Sequence, residues 1–283
     1  MSVYEPFVKK HDYLVCVDSD GCAMDTMYSK HVLCFGPLLV QEWGLQQWKD
    51  AILRRWNDIN LYQMTRGINR FQSLVMALSE IHEKYTPIVG LDALKLWVET
   101  AHALSNEYLE EAVAAAQNED ARLCLQKALL WSYAVNDNIT KLPEELKVPF
   151  RGARECIAAA AEFADIAIVS SANRDAVEEE WEKYGLLEHA DILLAQDCGS
   201  TAHCIGCMLD FGYEKDHVLM VGDAPGDCEA AEACGVWFYP ILVNWEEESW
   251  SALAQKYLQL FHQGKYATCQ EEKEQVFIEN LGG

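Results

Sequence analysis

Apolar and polar positions along the chain follow two different periods. Tyr13-Leu14-Val15-Cys16-Val17 is a short apolar run that stops at Asp18-Ser19-Asp20-Gly21. A run of that length ending in turn formers predicts a buried strand that opens into a polar loop. From Met27 to Lys147 the period is helical: Trp43, Leu45, Trp48, Ile52, Leu53 and Trp56 recur at that spacing, as do Phe71, Leu74, Val75, Leu78 and Ile81, and then Leu91, Leu94, Trp97, Val98 and Ala101. No strand pattern interrupts them, so the stretch predicts an all-helical block.

After Pro149-Phe150-Arg151-Gly152 strand and helix patterns alternate. Helices are expected from about Ala153, over Asp175 to Tyr184, from about Thr201 and from about Asp227. Strands are expected over Ile166 to Val169, Ile192 to Ala195, His217 to Val221 and Val236 to Tyr239. Such alternation predicts an α/β fold with a doubly wound parallel sheet, Rossmann-like. The first strand needs the same sheet. The chain is therefore expected to form one α/β core from residues 1–26 and 149–283, with a helical cap, 27–148, inserted after the first strand. A C-terminal helical extension, with Trp250, Leu253, Tyr257, Leu260 and Phe261, is expected from about residue 245.

Composition narrows the function. The 22 basic residues are outnumbered by 45 acidic ones, a net charge of −23. That balance argues against neutralising nucleic-acid phosphate and against a polybasic membrane surface. No long apolar stretch follows a basic start, and no charge-free apolar run is long enough to span a bilayer. The 11 cysteines are odd in number and lie in apolar or helical segments, which reads as reduced thiols in a cytoplasmic protein.

Ligand sites of open parallel sheets lie beyond the carboxyl ends of the strands. Three expected strands end there in acids or hydroxyls: Val17-Asp18-Ser19-Asp20, Val169-Ser170-Ser171-Ala172-Asn173, and Val221-Gly222-Asp223-Ala224-Pro225-Gly226-Asp227. Each acid alone could be a turn former or helix cap. The string Asp18-x-Asp20-Gly21-x-x-x-Asp25-Thr26 is less ordinary, expected by chance at roughly 10⁻⁴ over a chain of this length. If these strand ends are neighbours, Asp18, Asp20, Asp223 and Asp227 converge. Two like charges 4 Å apart repel by about 4 kcal/mol at an effective dielectric of 20, so the cluster calls for a cation. An all-oxygen ligand set suits Mg²⁺.

These motifs resemble the haloacid dehalogenase superfamily, in its branch with a helical cap inserted after the first strand, similar to phosphoglycolate phosphatases and β-phosphoglucomutases. The resemblance implies that Asp18 is the nucleophile and Asp20 the general acid/base. It implies that Ser170, with Ser171 beside it, binds the transferring phosphoryl group, and that Asp223 and Asp227 hold the metal with Asp18 and Asp20. A carboxylate nucleophile splits hydrolysis into two steps through an aspartyl-phosphate, and the second carboxylate can protonate the leaving oxygen and then activate water. The presence of Asp20 favours a phosphatase or a phosphosugar mutase over a dehalogenase. The implied activity is a Mg²⁺-dependent phosphomonoester hydrolase acting on a small soluble phosphorylated metabolite. A mutase, or a weak phosphate-binding or regulatory protein, is the alternative.

The sequence departs from that pattern once. In Gly199-Ser200-Thr201-Ala202, Thr201 stands where such relatives carry a Lys that offsets the charge of nucleophile and phosphate. Arg174 or Lys183 could substitute. In the helical block, Arg66 and Arg70 are four apart and would share a helix face. With Asn69 they are candidates for gripping an anionic substrate, or else paired surface arginines. Cys198, His203, Cys204 and Cys207 match no common zinc spacing and are expected to be thiols without a metal.

Overall fold

The computed structural model describes residues 7–283; residues 1–6, part of the N-terminal stretch in which no long apolar run follows a basic start, lie outside the described residues. The chain divides into two compact units, Met1–Met27 with Glu144–Gly283, and Tyr28–Pro143.

The first unit is built on a parallel sheet of five strands: β1 (Tyr13–Val17), β2 (Ala164–Val169), β3 (Ile192–Leu194), β4 (Val218–Gly222) and β5 (Trp237–Pro240), in the order β3-β2-β1-β4-β5. β1 is central. Its register sets Val17 opposite Ile168 of β2 and Val221 of β4. Chain order reverses on either side of β1, the kind of switch point where open sheets form ligand crevices.

The helices of both units, in chain order, are α1 (Met27–Lys30), α2 (Gly36–Glu42), α3 (Lys49–Asn57), α4 (Arg70–Lys84), α5 (Leu91–Thr100), α6 (Asn106–Ala115), α7 (Glu119–Thr140), α8 (Ala153–Ala160), α9 (Arg174–Lys183), α10 (Thr201–Leu209), α11 (Pro225–Cys234), α12 (Glu246–Ala252), α13 (Leu258–His262) and α14 (Gln270–Asn280). Those from α8 on belong to the sheet unit. Strand side chains alternate between faces, and Val15, Val17, Ile166, Ile168, Leu219 and Val221 share one core with α8, Trp181 of α9, Trp250 of α12 and Phe261 of α13. On β4 and β5 packs α11, with α10 beside it. No described helix is long and apolar enough to cross a membrane. The second unit has its own aromatic core, in which Trp56, Phe71 and Trp131 are almost fully buried.

Glu144 and Val148 belong to the sheet unit. The N–H of Asp25 donates to Val148 O (2.7 Å), and Lys183 pairs with Glu144 (2.5 Å). Near the amino end of β2 the buried Asp165 accepts from the N–H groups of Lys10 (3.0 Å) and His11 (3.1 Å) and from the Tyr213 hydroxyl (2.5 Å). Those bonds tie the segment before β1 to β2.

Asp165→Ala leaves three donors without their acceptor. Only the Tyr213 bond is buried, the two N–H bonds being part-buried; at about 1–3 kcal/mol for a stranded buried donor the loss is expected to be at least about 1 kcal/mol, and at about 2–4 °C per kcal/mol for a domain this size the melting midpoint falls by at least about 2 °C in calorimetry. A midpoint unchanged from wild type contradicts this account.

Candidate active site

The loop after β1 is held by bonds from several directions. The N–H of Asp18 donates to Val221 O of β4 (3.0 Å), which carries the strand pairing one residue past β1. Met24 N–H turns back to Ser19 O (2.8 Å), and Gly21 N–H reaches Met24 O (2.8 Å). Gly21 has φ of 87°, a left-handed conformation that costs glycine little and other residues more. Two buried tryptophans anchor the loop from behind: Trp181 Nε1–H donates to Ser19 Oγ (2.9 Å) and Trp250 Nε1–H to Cys22 O (3.0 Å). These two are core residues, and their indole N–H groups also hold the loop that carries Asp18.

β1 and β4 are paired neighbours, so their carboxyl ends bring acids together. Carboxylate oxygens of Asp18, Asp223 and Asp227 all lie within 4.8 Å of one another. Asp223 and Asp227 are buried, and Asp18 is partly exposed. Asp227 sits in the first turn of α11, where its Oδ2 accepts from the N–H of Ala224 (3.2 Å). Gly222 makes room for it: a Cβ on Gly222 would stand 2.4 Å from Asp227 Oδ2. Burial, and then the charges of Asp227, Asp223 and Asp20, push the Asp18 carboxyl well above the ordinary carboxylate range. Three hard oxygen donors crowded against their own repulsion fit a small divalent cation. Asp18, Asp223 and Asp227 are the residues that would hold it. Asp20, expected with them, is outside this trio, and its Oδ1 accepts from the Thr26 hydroxyl (2.5 Å).

Ser170 follows β2, one strand over from Asp18, and is buried. Its N–H donates to Leu194 O (2.9 Å) and its Oγ accepts from Ala172 N–H (3.2 Å), so the hydroxyl hydrogen has no acceptor among the described residues. Ser171 is exposed, and Asn173 caps α9 by accepting from Asp175 N–H (3.1 Å).

Thr201 is the first residue of α10, whose N-cap Ser200 accepts from His203 N–H (3.2 Å). Neither cation suggested as a substitute for the missing lysine is spare. Arg174 forks onto Asp197 with two 2.9 Å bonds, donates to Leu193 O (3.0 Å), and lies 3.1 Å from Cys198 Sγ. Lys183 ends α9 and pairs with Glu144. Nine helical rises place Lys183 about 14 Å along the axis from Arg174.

The helical unit corrects one expectation. Arg66 and Arg70 do not share a helix face, because α4 begins at Arg70 and Gly67 turns with φ of 75° between them. Arg66 is buried and donates to Leu61 O (2.9 Å). Asn69 is the N-cap of α4, accepting from Phe71 N–H (2.9 Å), and its Nδ2 donates to Leu104 O (3.1 Å). Arg70 donates to Ser132 and Asn136 of α7. The cysteines are all free thiols. His203 Nε2 is 3.6 Å from Cys207 Sγ, yet no cysteine belongs to a metal-holding group among the described residues.

Two outcomes follow from the crowding. Gly222→Ala should displace Asp227 and weaken Mg²⁺ binding by at least about tenfold, measured by calorimetric titration; unchanged affinity would refute the close approach. Asp18→Asn in metal-free protein should raise the melting midpoint at neutral pH, by about 2–4 °C for each kcal/mol of repulsion relieved. The sign follows from the raised carboxyl: the folded state holds the proton more tightly than the unfolded chain, so ionisation at neutral pH opposes folding. The gain should vanish below about pH 4, where the unfolded carboxyl is protonated too. A variant less stable than wild type at pH 7 without metal contradicts the reading.

No curated protein matches the sequence. Similar solved structures include a haloacid dehalogenase-like family hydrolase from Xanthomonas campestris, 16% identical with a TM-score of 0.49, over 91% of this chain and 97% of that one. A protein from Haemophilus somnus predicted to be a phosphoglycolate phosphatase is 12% identical with a TM-score of 0.47, over 81% and 84%. A candidate β-phosphoglucomutase from Thermotoga maritima is 16% identical with a TM-score of 0.41, over 81% and 84%. The family model for haloacid dehalogenase-like hydrolases matches residues 91–241, more than half of the chain. With that match, and with strand-end acids on a five-stranded parallel sheet, the chain belongs to the haloacid dehalogenase-like hydrolase family.

Proposed function

We propose that the protein is a Mg²⁺-dependent phosphomonoester hydrolase acting on a small phosphorylated metabolite through an aspartyl-phosphate. The observation that carries this reading is the meeting of Asp18, Asp223 and Asp227 within 4.8 Å where β1 and β4 end side by side. A bare carboxylate trio repels a phosphate dianion. Bound Mg²⁺ would neutralise both the carboxylates and the phosphoryl oxygens.

The residues then divide the work. A carboxylate oxygen of Asp18 attacks phosphorus, and the alkoxide leaves as Asp20 protonates it. Asp20 then takes a proton from water, which attacks the aspartyl-phosphate and releases inorganic phosphate and Asp18. The Thr26 hydroxyl on Asp20 Oδ1 limits the rotation of that carboxyl. Ser170 has a hydroxyl hydrogen to give a phosphoryl oxygen. Trp181, through Ser19, acts as a positioning residue for the Asp18 loop.

The engaged state of Arg174 and Lys183 favours a slow catalyst as a second reading. One preorganised charge stabiliser is worth about 10²–10³ in rate, and Thr201 offers no charge.

Turnover of an aryl phosphate with Mg²⁺ is the direct test. Asp18→Asn should lower kcat by at least about 10³, and metal chelation should do the same to wild type. Full activity in either case overturns the hydrolase reading. Thr201→Lys should raise turnover at least about tenfold, which asks for ~1.4 kcal/mol of barrier. Brisk wild-type turnover with no gain in Thr201→Lys rules out the slow-catalyst reading and leaves the phosphatase reading standing.

A further inference from the structure

Ser170 stands beside the weakest part of the sheet. β3 pairs with β2 over three residues only, Ala167 with Ile192, Ile168 with Leu193 and Val169 with Leu194, and it has no second strand neighbour. An edge strand with so few bonds opens at low cost. The loops beyond the two strands are nevertheless joined. Ser170 N–H donates to Leu194 O (2.9 Å) and Gln196 N–H to Ala172 O (3.0 Å), so the pairing continues past both strand ends. Ala172 N–H in turn donates to Ser170 Oγ (3.2 Å). A chain of bonds therefore runs from the loop after β3 to the Ser170 hydroxyl.

Arg174 closes that seam. It is the first residue of α9, four positions after Ser170. Its Nε and Nη2 donate to the two carboxylate oxygens of Asp197 at 2.9 Å each, and its Nη1 donates to Leu193 O (3.0 Å). Asp197 adjoins Gln196, whose amide holds Ala172. The hydrogen bonds of the fork hold the Asp197 carboxyl below the usual carboxylate range, so it is charged at neutral pH. Three bonds from one planar group fix direction as well as distance, which a point-like ammonium does not. The side chains of Arg174 and Asp197 are 28% and 51% exposed, and ion pairs this exposed contribute little to stability. What this one supplies is geometry. We propose that Arg174, acting through Asp197, is a positioning residue for the Ser170 hydroxyl. It pins the loop after β3, and that loop pins Ala172, whose amide occupies Ser170 Oγ as acceptor and leaves the hydroxyl hydrogen for a phosphoryl oxygen. The phosphoryl partner rests on the phosphomonoesterase reading; the clamp itself does not.

Kinetic coupling in full-length protein with Mg²⁺ and an aryl phosphate tests the link to Ser170. Arg174→Gln and Ser170→Ala should each lower kcat/KM at least about tenfold, the scale of a small misplacement at the reacting group. In a Ser170→Ala background, Arg174→Gln should cost no more than about twofold further, because the hydroxyl it positions is gone, whereas a merely structural arginine loses the same factor in both backgrounds. Asp197→Asn should behave as Arg174→Gln does. Arg174→Lys, which keeps the charge and loses the fork, should fall between Arg174→Gln and wild type. Circular dichroism melts identify any variant that has lost its fold, and Asp197→Asn then replaces Arg174→Gln in the cycle.

Amide hydrogen exchange of metal-free protein gives a readout that needs no turnover. In Arg174→Gln, peptides spanning residues 170–172 and 194–198 should exchange at least about tenfold faster than in wild type, while those of β1 and β4 keep their wild-type rates. Wild-type kcat/KM in Arg174→Gln, equal losses in both Ser170 backgrounds, or unchanged exchange overturns the proposal. An inactive wild type whose Arg174→Gln variant still exchanges faster upholds the clamp and counts against the phosphomonoesterase reading alone.

Discussion

Mutual repulsion among three carboxylates, gathered where two parallel strands end, governs the sheet unit. Asp18 and Asp223 are neighbours because β1 pairs with β4 in register, Val17 against Val221. Asp227 joins them because α11 starts at once and turns its first residues back on the strand end. Burial raises the cost of every charge in the group and pushes the Asp18 carboxyl upward. Such a cluster persists only if the surrounding chain holds it, and here the hold is specific. Gly222 leaves the space that Asp227 fills, and Trp181 and Trp250 fix the Asp18 loop from the core side.

The same charge economy runs through the rest of the molecule. With 45 acids against 22 basic residues, a lysine or arginine has many carboxylates to choose from. Most exposed pairs of this kind contribute little to stability, but they decide which cations are left for other work. Arg174 and Lys183 are taken by Asp197 and Glu144. Arg70 is held by neutral groups and an aromatic ring, with one edge open. Burying a cation without an anion is unfavourable unless something compensates, which sets Arg70 apart from Arg55, Arg122, Arg154 and Arg174.

Much of this was legible in the primary structure. The strand and helix alternation after residue 149 could be read because side-chain period follows backbone geometry within each element. Asp18, Asp223 and Asp227 could be read as strand-end acids, and the break in the lysine pattern at Thr201 is a matter of sequence alone. The Arg66–Arg70 spacing misled, because Gly67 and the Asn69 cap end any shared helix there. A glycine and an asparagine in that order do mark a turn followed by a helix start, so the signal was present and outweighed by the spacing.

By itself the sequence determined the local periods, the acids at the strand ends and the net charge, since each depends on residues a few positions apart. Tertiary structure alone decided that β1 lies between β2 and β4, and so that Asp223 and Asp227 meet Asp18. It decided that two core tryptophans would also anchor the loop that carries Asp18 across 162 and 228 residues of chain. It decided too that Arg174 would be neutralised by a carboxylate 23 residues on while Arg70 would not. The physical reason is range: periodicity arises from backbone geometry within one element, whereas the partner of a charge or an indole N–H is whatever packing brings within about 3 Å.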